Sequence, residues 1–348
     1  MSELQLALIA GGVAVVASVW GYNRWQERRQ QQQTEELFGE RSGDVLDVAS
    51  DAAEPQERRE PQERREPVIE ADESLPPLPE AWADEIADCV VRLDFAEPIS
   101  AHSLWQAQAE WSEQMDRPVQ WLGLDSMLQH WRQLGDTDPG RYTVICAAMQ
   151  LADRRGPASE REINLFLDGL HELLRRHPGV AQIPAADDVA MEARAVDDAC
   201  IAVDMQLALN VVPASGRPFD GAAFRHAVEE AGFALQSDGF FRSADDLFAL
   251  ARLGGEAFDE FPENAMEQGV TLTLDVPRVA DGLLAFDRLL ALVGELTTRF
   301  DCALVDAQRN ALAAEAISAI RAKIADLQGQ MGQRRIAPGS VRARRLFS

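Results

Sequence analysis

The chain has 348 residues, 46% of them hydrophobic, with 33 Lys and Arg against 58 Asp and Glu, for a net charge of −25. That length accommodates two ordinary domains with segments to spare. A chain this acidic repels phosphate backbones, which argues against a nucleic-acid partner.

Residues 4–22, LQLALIAGGVAVVASVWGY, form an apolar run interrupted by Gln5, Ser18 and small residues. At ~1.5 Å per helical residue the run is about 28 Å long, one hydrocarbon core. Trp20, Tyr22 and Trp25 lie at its C-terminal end, and Arg24, Arg28 and Arg29 follow, while Glu3 precedes it. This polarity is the reverse of a cleaved signal peptide. The expectation is a single transmembrane helix through the lipid bilayer, N-terminus outside and the rest of the chain in the cytoplasm. A buried soluble helix is the competing reading.

Residues 23–81 are dominated by Gln, Pro and charge, with EPQERR repeated in tandem at 54–59 and 60–65. Large apolar side chains are too sparse to bury, so a disordered or extended linker is expected.

From Trp82 the apolar patterning turns globular. In residues 82–200, strands are expected at 89–95, 119–124, 142–149 and 180–183, and helices at 102–111, 163–176 and 187–199. In residues 201–328, strands are expected at 205–212, 233–241, 246–253, 270–276 and 301–306. Helices are expected from the Asp220 cap to Gly232, at 283–300 and at 312–327. Strands outnumber helices and connections are short. The fold class is therefore α+β, a mostly antiparallel sheet with helices on one face. The first half repeats the order of the second with little residue identity, which predicts an internal duplication; an unrelated α+β domain is the alternative. Residues 329–348 form a basic tail ending in Leu346-Phe347, read as a frayed terminus, a contact for acidic lipid, or a segment docked on the chain's own acidic surface.

Chemistry-bearing motifs are scarce. The four cysteines, Cys89, Cys146, Cys200 and Cys302, have neither CxxC nor Cys/His metal spacing and read as small buried apolar side chains. His171 and His177 stand six apart, on different faces of a helix, which does not make a zinc motif. There is no phosphate loop, GxGxxG after a strand, or GxSxG elbow. No enzyme, cofactor, metal or small-molecule substrate is expected. A tether with a weak binding surface fits the layout, since tethering raises local concentration.

Residues 205–328 resemble the C-terminal domain of the ZipA family of bacterial cell-division proteins. The resemblance rests on LALNVV, FDGAAFRHAVEEAGF, FFR, LFALARL, QGVTLTLDVP and FDRLLALVGELTTRFDCALVDAQRNAL, in this order. It implies a non-enzymatic inner-membrane anchor that binds the C-terminal tail peptide of FtsZ on an open sheet face, with the other face under helices. It further implies peptide-facing positions at Gln206, Ala208, Asn210, Phe240, Ala251, Leu253, Thr271 and Thr273. Gln206 and Thr273 stand where the family has larger apolar residues. The family's basic rim residue falls on Gly255, with Arg252 nearby. The alternative is a membrane-tethered scaffold that has lost FtsZ binding and holds another division or envelope protein.

Overall fold

The computed structural model describes residues 75–258, 266–306 and 309–348. The run at 4–22 and nearly all of the expected linker lie outside these residues. Among the described residues, no helix is long and apolar enough to cross a membrane.

Alternation dictates the strands. In the first half these are β1 (Asp88–Ser100), β2 (Val119–Asp125), β3 (His130–Gln133), β4 (Arg141–Gln150), the short β5 (Ala152–Asp153) and β6 (Gly156–Pro157), and β7 (Gly179–Ala181). Helices α1 (Ala101–Ser112), α2 (Glu160–Arg176) and α3 (Ala186–Ile201) separate them. Strand order is β3-β2-β4-β1-β7, antiparallel throughout. In β1, Cys89, Val91, Leu93 and Phe95 point toward α2 and pack with its Ile163, Phe166 and Leu170. Ser159 starts α2 with a capping box: its hydroxyl accepts from the Glu162 N–H, and Glu162 answers on the Ser159 N–H.

In the second half come β8 (Gln206–Pro213), β9 (Phe219–Asp220), α4 (Gly221–Glu230), β10 (Phe233–Leu235), β11 (Phe241–Ser243) and β12 (Phe248–Arg252). They are followed by β13 (Met266–Glu267), β14 (Val270–Asp275), α5 (Gly282–Phe300), β15 (Cys302–Val305), α6 (Ala314–Gln333) and α7 (Val341–Leu346). The main sheet runs β10-β11-β12-β14-β8-β15, again antiparallel. Asp220 caps α4 by accepting from the Ala222 and Ala223 N–H groups, as its position before the apolar run predicts. Leu207, Leu209 and Val211 of β8 and Val270, Leu272 and Leu274 of β14 form one floor of side chains. Phe286, Leu289 and Val293 of α5 and Ile324 and Leu327 of α6 belong to the same core. Each such Leu or Phe stabilises the fold by about 1.5–3 kcal/mol of burial.

In both halves the first long strand, β1 or β8, lies between the strand before a long helix (β4, β14) and the strand after it (β7, β15). Beyond that trio the connectivity differs. The first half lays down β2 beside β4 and then β3 outside it, whereas β10, β11 and β12 are laid from the rim inward.

The halves are joined through three features. Val196 of α3 packs against both cores, and Ala87, Cys200 and Val203 belong to the second one. The β5–β6 turn carries Arg154, whose guanidinium donates to Asp204 and Asp275 together, at 2.8 and 2.7 Å from Nη2. The turn is itself held from behind: buried Arg117 donates to the Gly156 carbonyl at 2.7 Å and pairs with Asp153 at 2.8 Å. The third feature is the basic tail, which is docked on the chain's own acidic surface. Arg342 pairs with Asp84 at 2.6 Å and Arg345 bonds Asp88 at 2.8 Å, while Leu346 and Phe347 are fully buried.

Candidate functional site

The face of the second sheet turned away from the helices is where the family resemblance implies a partner's peptide. Register fixes its side chains in rows. Arg242, Ala249, Thr273 and Ala208 stand side by side across β11, β12, β14 and β8. A second row holds Ala251, Thr271, Asn210 and Val305. Continuing the β11 register by one residue sets Phe240 opposite Ala251. Asp275 and Gln206 form a third pair. Six predicted positions, Gln206, Ala208, Asn210, Ala251, Thr271 and Thr273, therefore share this face. Phe240 and Leu253 sit just outside the strands, at the N-terminal side of β11 and the C-terminal side of β12.

The rows differ in access. Ala208, Ala249 and Thr273 are half-buried and make a shallow floor of small side chains. Thr271 and Ala251 are only 3% and 4% exposed. The turn after β12 folds back over them: the Gly254 N–H donates to the Thr271 hydroxyl at 3.1 Å, and that hydroxyl donates to Asn210 Oδ1 at 2.8 Å. This turn needs left-handed backbone, supplied by Gly254 at φ +92° and Gly255 at φ +89°. Thr271 is thus a satisfied structural side chain. The Thr273 hydroxyl makes a weaker bond, to the Ala249 carbonyl at 3.3 Å.

At the opposite end the floor is closed by Asp275 under Arg154. Burial pushes the Asp275 carboxyl up, and the hydrogen bond and charge of Arg154 act against that rise. At the rim beside β11, Arg242 is held by Asp238 at 2.7 Å. Arg252, the basic residue near the family's rim position, does not face this floor. It stands opposite inward-facing Val270, pairs with Glu267 at 3.3 Å and lies over the Phe258 ring at 5.6 Å. Its Nε has no hydrogen-bond partner among the described residues.

Past the Thr271 end, a cleft of about 740 Å³ opens between Asn210, Leu253, Gly254, Gly269, Val305 and Arg309. Gly269, in the lining of this cleft, is a position that admits no side chain. Its φ is +145°, and a Cβ there would lie 2.7 Å from the Val211 carbonyl oxygen.

Ala249 and Arg242 complete the floor and were not among the predicted positions. The alternation of FALAR carries the signal for Ala249, whereas Arg242 emerges only from the β11–β12 register. Among the described residues, no group of three or more His, Cys, Asp or Glu is placed to hold a metal ion. Burial pushes the Cys89, Cys146 and Cys200 thiols up to about 12 and that of Cys302 to about 11, so they stay protonated at neutral pH.

The second half is thus an α+β unit, an antiparallel sheet covered by helices on one side with a floor of small side chains on the other. Comparison with known families is more specific: residues 205–323 match the family model for ZipA, C-terminal FtsZ-binding domain. No curated protein matches the chain.

Proposed function

We propose that the chain is a non-enzymatic cell-division adaptor that binds the C-terminal tail peptide of FtsZ on the outer face of the second sheet. The observation that carries this reading is the family match over residues 205–323, the segment that contains the floor at Ala208, Ala249 and Thr273. Small side chains leave room for a partner's larger ones. Affinity then comes from the few peptide side chains buried there, each contributing about 1.5–3 kcal/mol before ordering costs. In the same proposal residues 4–22 cross the bacterial inner membrane, with the N-terminus periplasmic and the folded part cytoplasmic. About 50 linker residues would give a root-mean-square reach of roughly 40 Å.

Titration of the full chain with a labelled FtsZ tail peptide tests this. Micromolar binding is expected, and Ala208→Glu should weaken it at least tenfold. No binding at high micromolar peptide would refute it. A second reading, a scaffold that has given up FtsZ for another division or envelope protein, draws on one observation: Thr271 and Ala251 are capped by the 253–256 turn, which shortens the floor. Division-site localisation that survives Ala208→Glu with the fold intact would favour it.

A further inference from the structure

The first sheet also has a face turned away from its helices, and that face is filled. Leu122, Leu124, Cys146, Ala148 and Trp131 lie on it by register, opposite in sense to Trp121 and Ala147 of the helix-side core. All five are at most 6% exposed, yet none belongs to either core. The chain's own residues 76–83, PPLPEAWA, reach this face at its β3 edge, and the C-terminal tail meets it at the Asp88–Gln150 pair, where the Gln150 amide donates to the Arg345 carbonyl at 3.0 Å. The Trp131 indole N–H donates to the Pro76 carbonyl at 2.8 Å. The chain then has to travel from the outermost strand β3 to Asp88 at the start of β1, three strand positions away, about 14 Å. Along this path Pro76, Leu78, Pro79 and Trp82 are half-buried and Ala83 is buried, while Pro77, Glu80 and Ala81 face solvent. The far end is fixed by Asp84 and Asp88 under Arg342 and Arg345.

The chemistry of this strap is that of a ligand. Three prolines remove three N–H groups that a strand would need to pair and preset residues 76–79 at little entropic cost; the chain then turns, with the Trp82 and Ala83 N–H groups both donating to the Pro79 carbonyl, at 2.9 and 3.0 Å. An indole N–H on a proline-segment carbonyl is a contact by which aromatic faces take up such segments. We propose that the outer face of the first sheet is a docking face for proline-rich peptides, occupied in cis by residues 76–83. The strap is then a displaceable intramolecular ligand that keeps the face closed to partners of the same chemistry.

The test uses the full chain with residues 76–82 replaced by Gly and Ser at equal length, and a labelled peptide of residues 76–83. The replaced chain should bind the peptide, and the native chain should bind it at least about tenfold more weakly, because a tethered strap competes at millimolar effective concentration. Failure of the replaced, folded chain to bind at about 1 mM peptide, or equal binding by both chains, overturns the proposal. If the replacement prevents folding, Trp131→Phe in the full chain decides by hydrogen exchange. At least tenfold faster exchange at residues 80–83, with β2 and β4 unchanged, supports the strap as a separable ligand. Unchanged exchange at residues 80–83, or equal acceleration through β2 and β4, overturns it.

Discussion

Replacing Arg345 by Met isolates the cost of an orphaned carboxylate. The Asp88 side chain is 0% exposed. Its oxygens bond Arg345 Nη1 at 2.8 Å and the Asp84 N–H at 2.7 Å. Without the guanidinium, Asp88 must stay ionised and unpaired or take up a proton. Neutralising an ordinary carboxyl at pH 7 costs about 1.4 kcal/mol per pH unit over roughly three units, which caps the loss near 4 kcal/mol. At pH 5 the same cap is about 1.5 kcal/mol. In the native protein, burial already raises the Asp88 carboxyl against the hydrogen bond and charge of Arg345, and the variant raises it further. A raised folded value means that the contribution of the neutral carboxyl is complete below about pH 4 and is lost as pH rises. The variant should therefore lose about 3–4 kcal/mol at pH 7 and regain much of it at pH 5, read by urea unfolding with tryptophan fluorescence. Arg345→Met/Asp88→Asn should recover more than half at pH 7. A deficit equal at both pH values, or a double variant no better than the single one, would refute the reasoning.

Two other outcomes follow from local geometry. Gly269→Ala forces a Cβ against the Val211 carbonyl at a φ that L residues avoid; a loss of about 2 kcal/mol or more is expected in thermal unfolding, with distortion at the Asn210–Leu253 cleft. Thiol titration with a disulfide reagent at pH 8 should find Cys89, Cys146 and Cys200 unreactive until the protein unfolds, while half-buried Cys302 reacts slowly; rapid native labelling of any of the first three would contradict their burial.

Sequence periodicity disclosed the parts of the fold in which local pattern and tertiary role agree. The alternation of VTLTLD, the helical spacing of Phe286, Leu289 and Val293, and the Asp220 cap all recur in the structure because each reports its own burial. Residues 233–241, expected as one strand, are two strands around a turn. Gly239 at φ +81° and the Gln236 N–H donating to the Phe240 carbonyl close it, and Asp238-Gly239 was the available turn signal. The resemblance supplied the eight candidate positions, and period two by itself assigns only part of them to a face; six share it in the structure. Their access was not legible. Whether Thr271 meets solvent depends on a glycine turn folding back over it, and alternation carries no information about that. Docking of the basic tail was one of three sequence readings, but its partners were not legible, because the carboxylates that hold Arg342 and Arg345 lie more than two hundred residues away.

That docking has a mechanical consequence. Tension arriving along the chain from residue 76 passes through Asp84 and Asp88 before it reaches the first long strand. Those two residues are clamped by the last helix, so the load divides there between β1 and α7. Ala343 and Leu346 of α7 belong to the core of the second sheet, so the share carried by α7 enters that sheet from its helix side. The row at Ala208, Ala249 and Thr273 is on the opposite side of the sheet from the point where that load arrives.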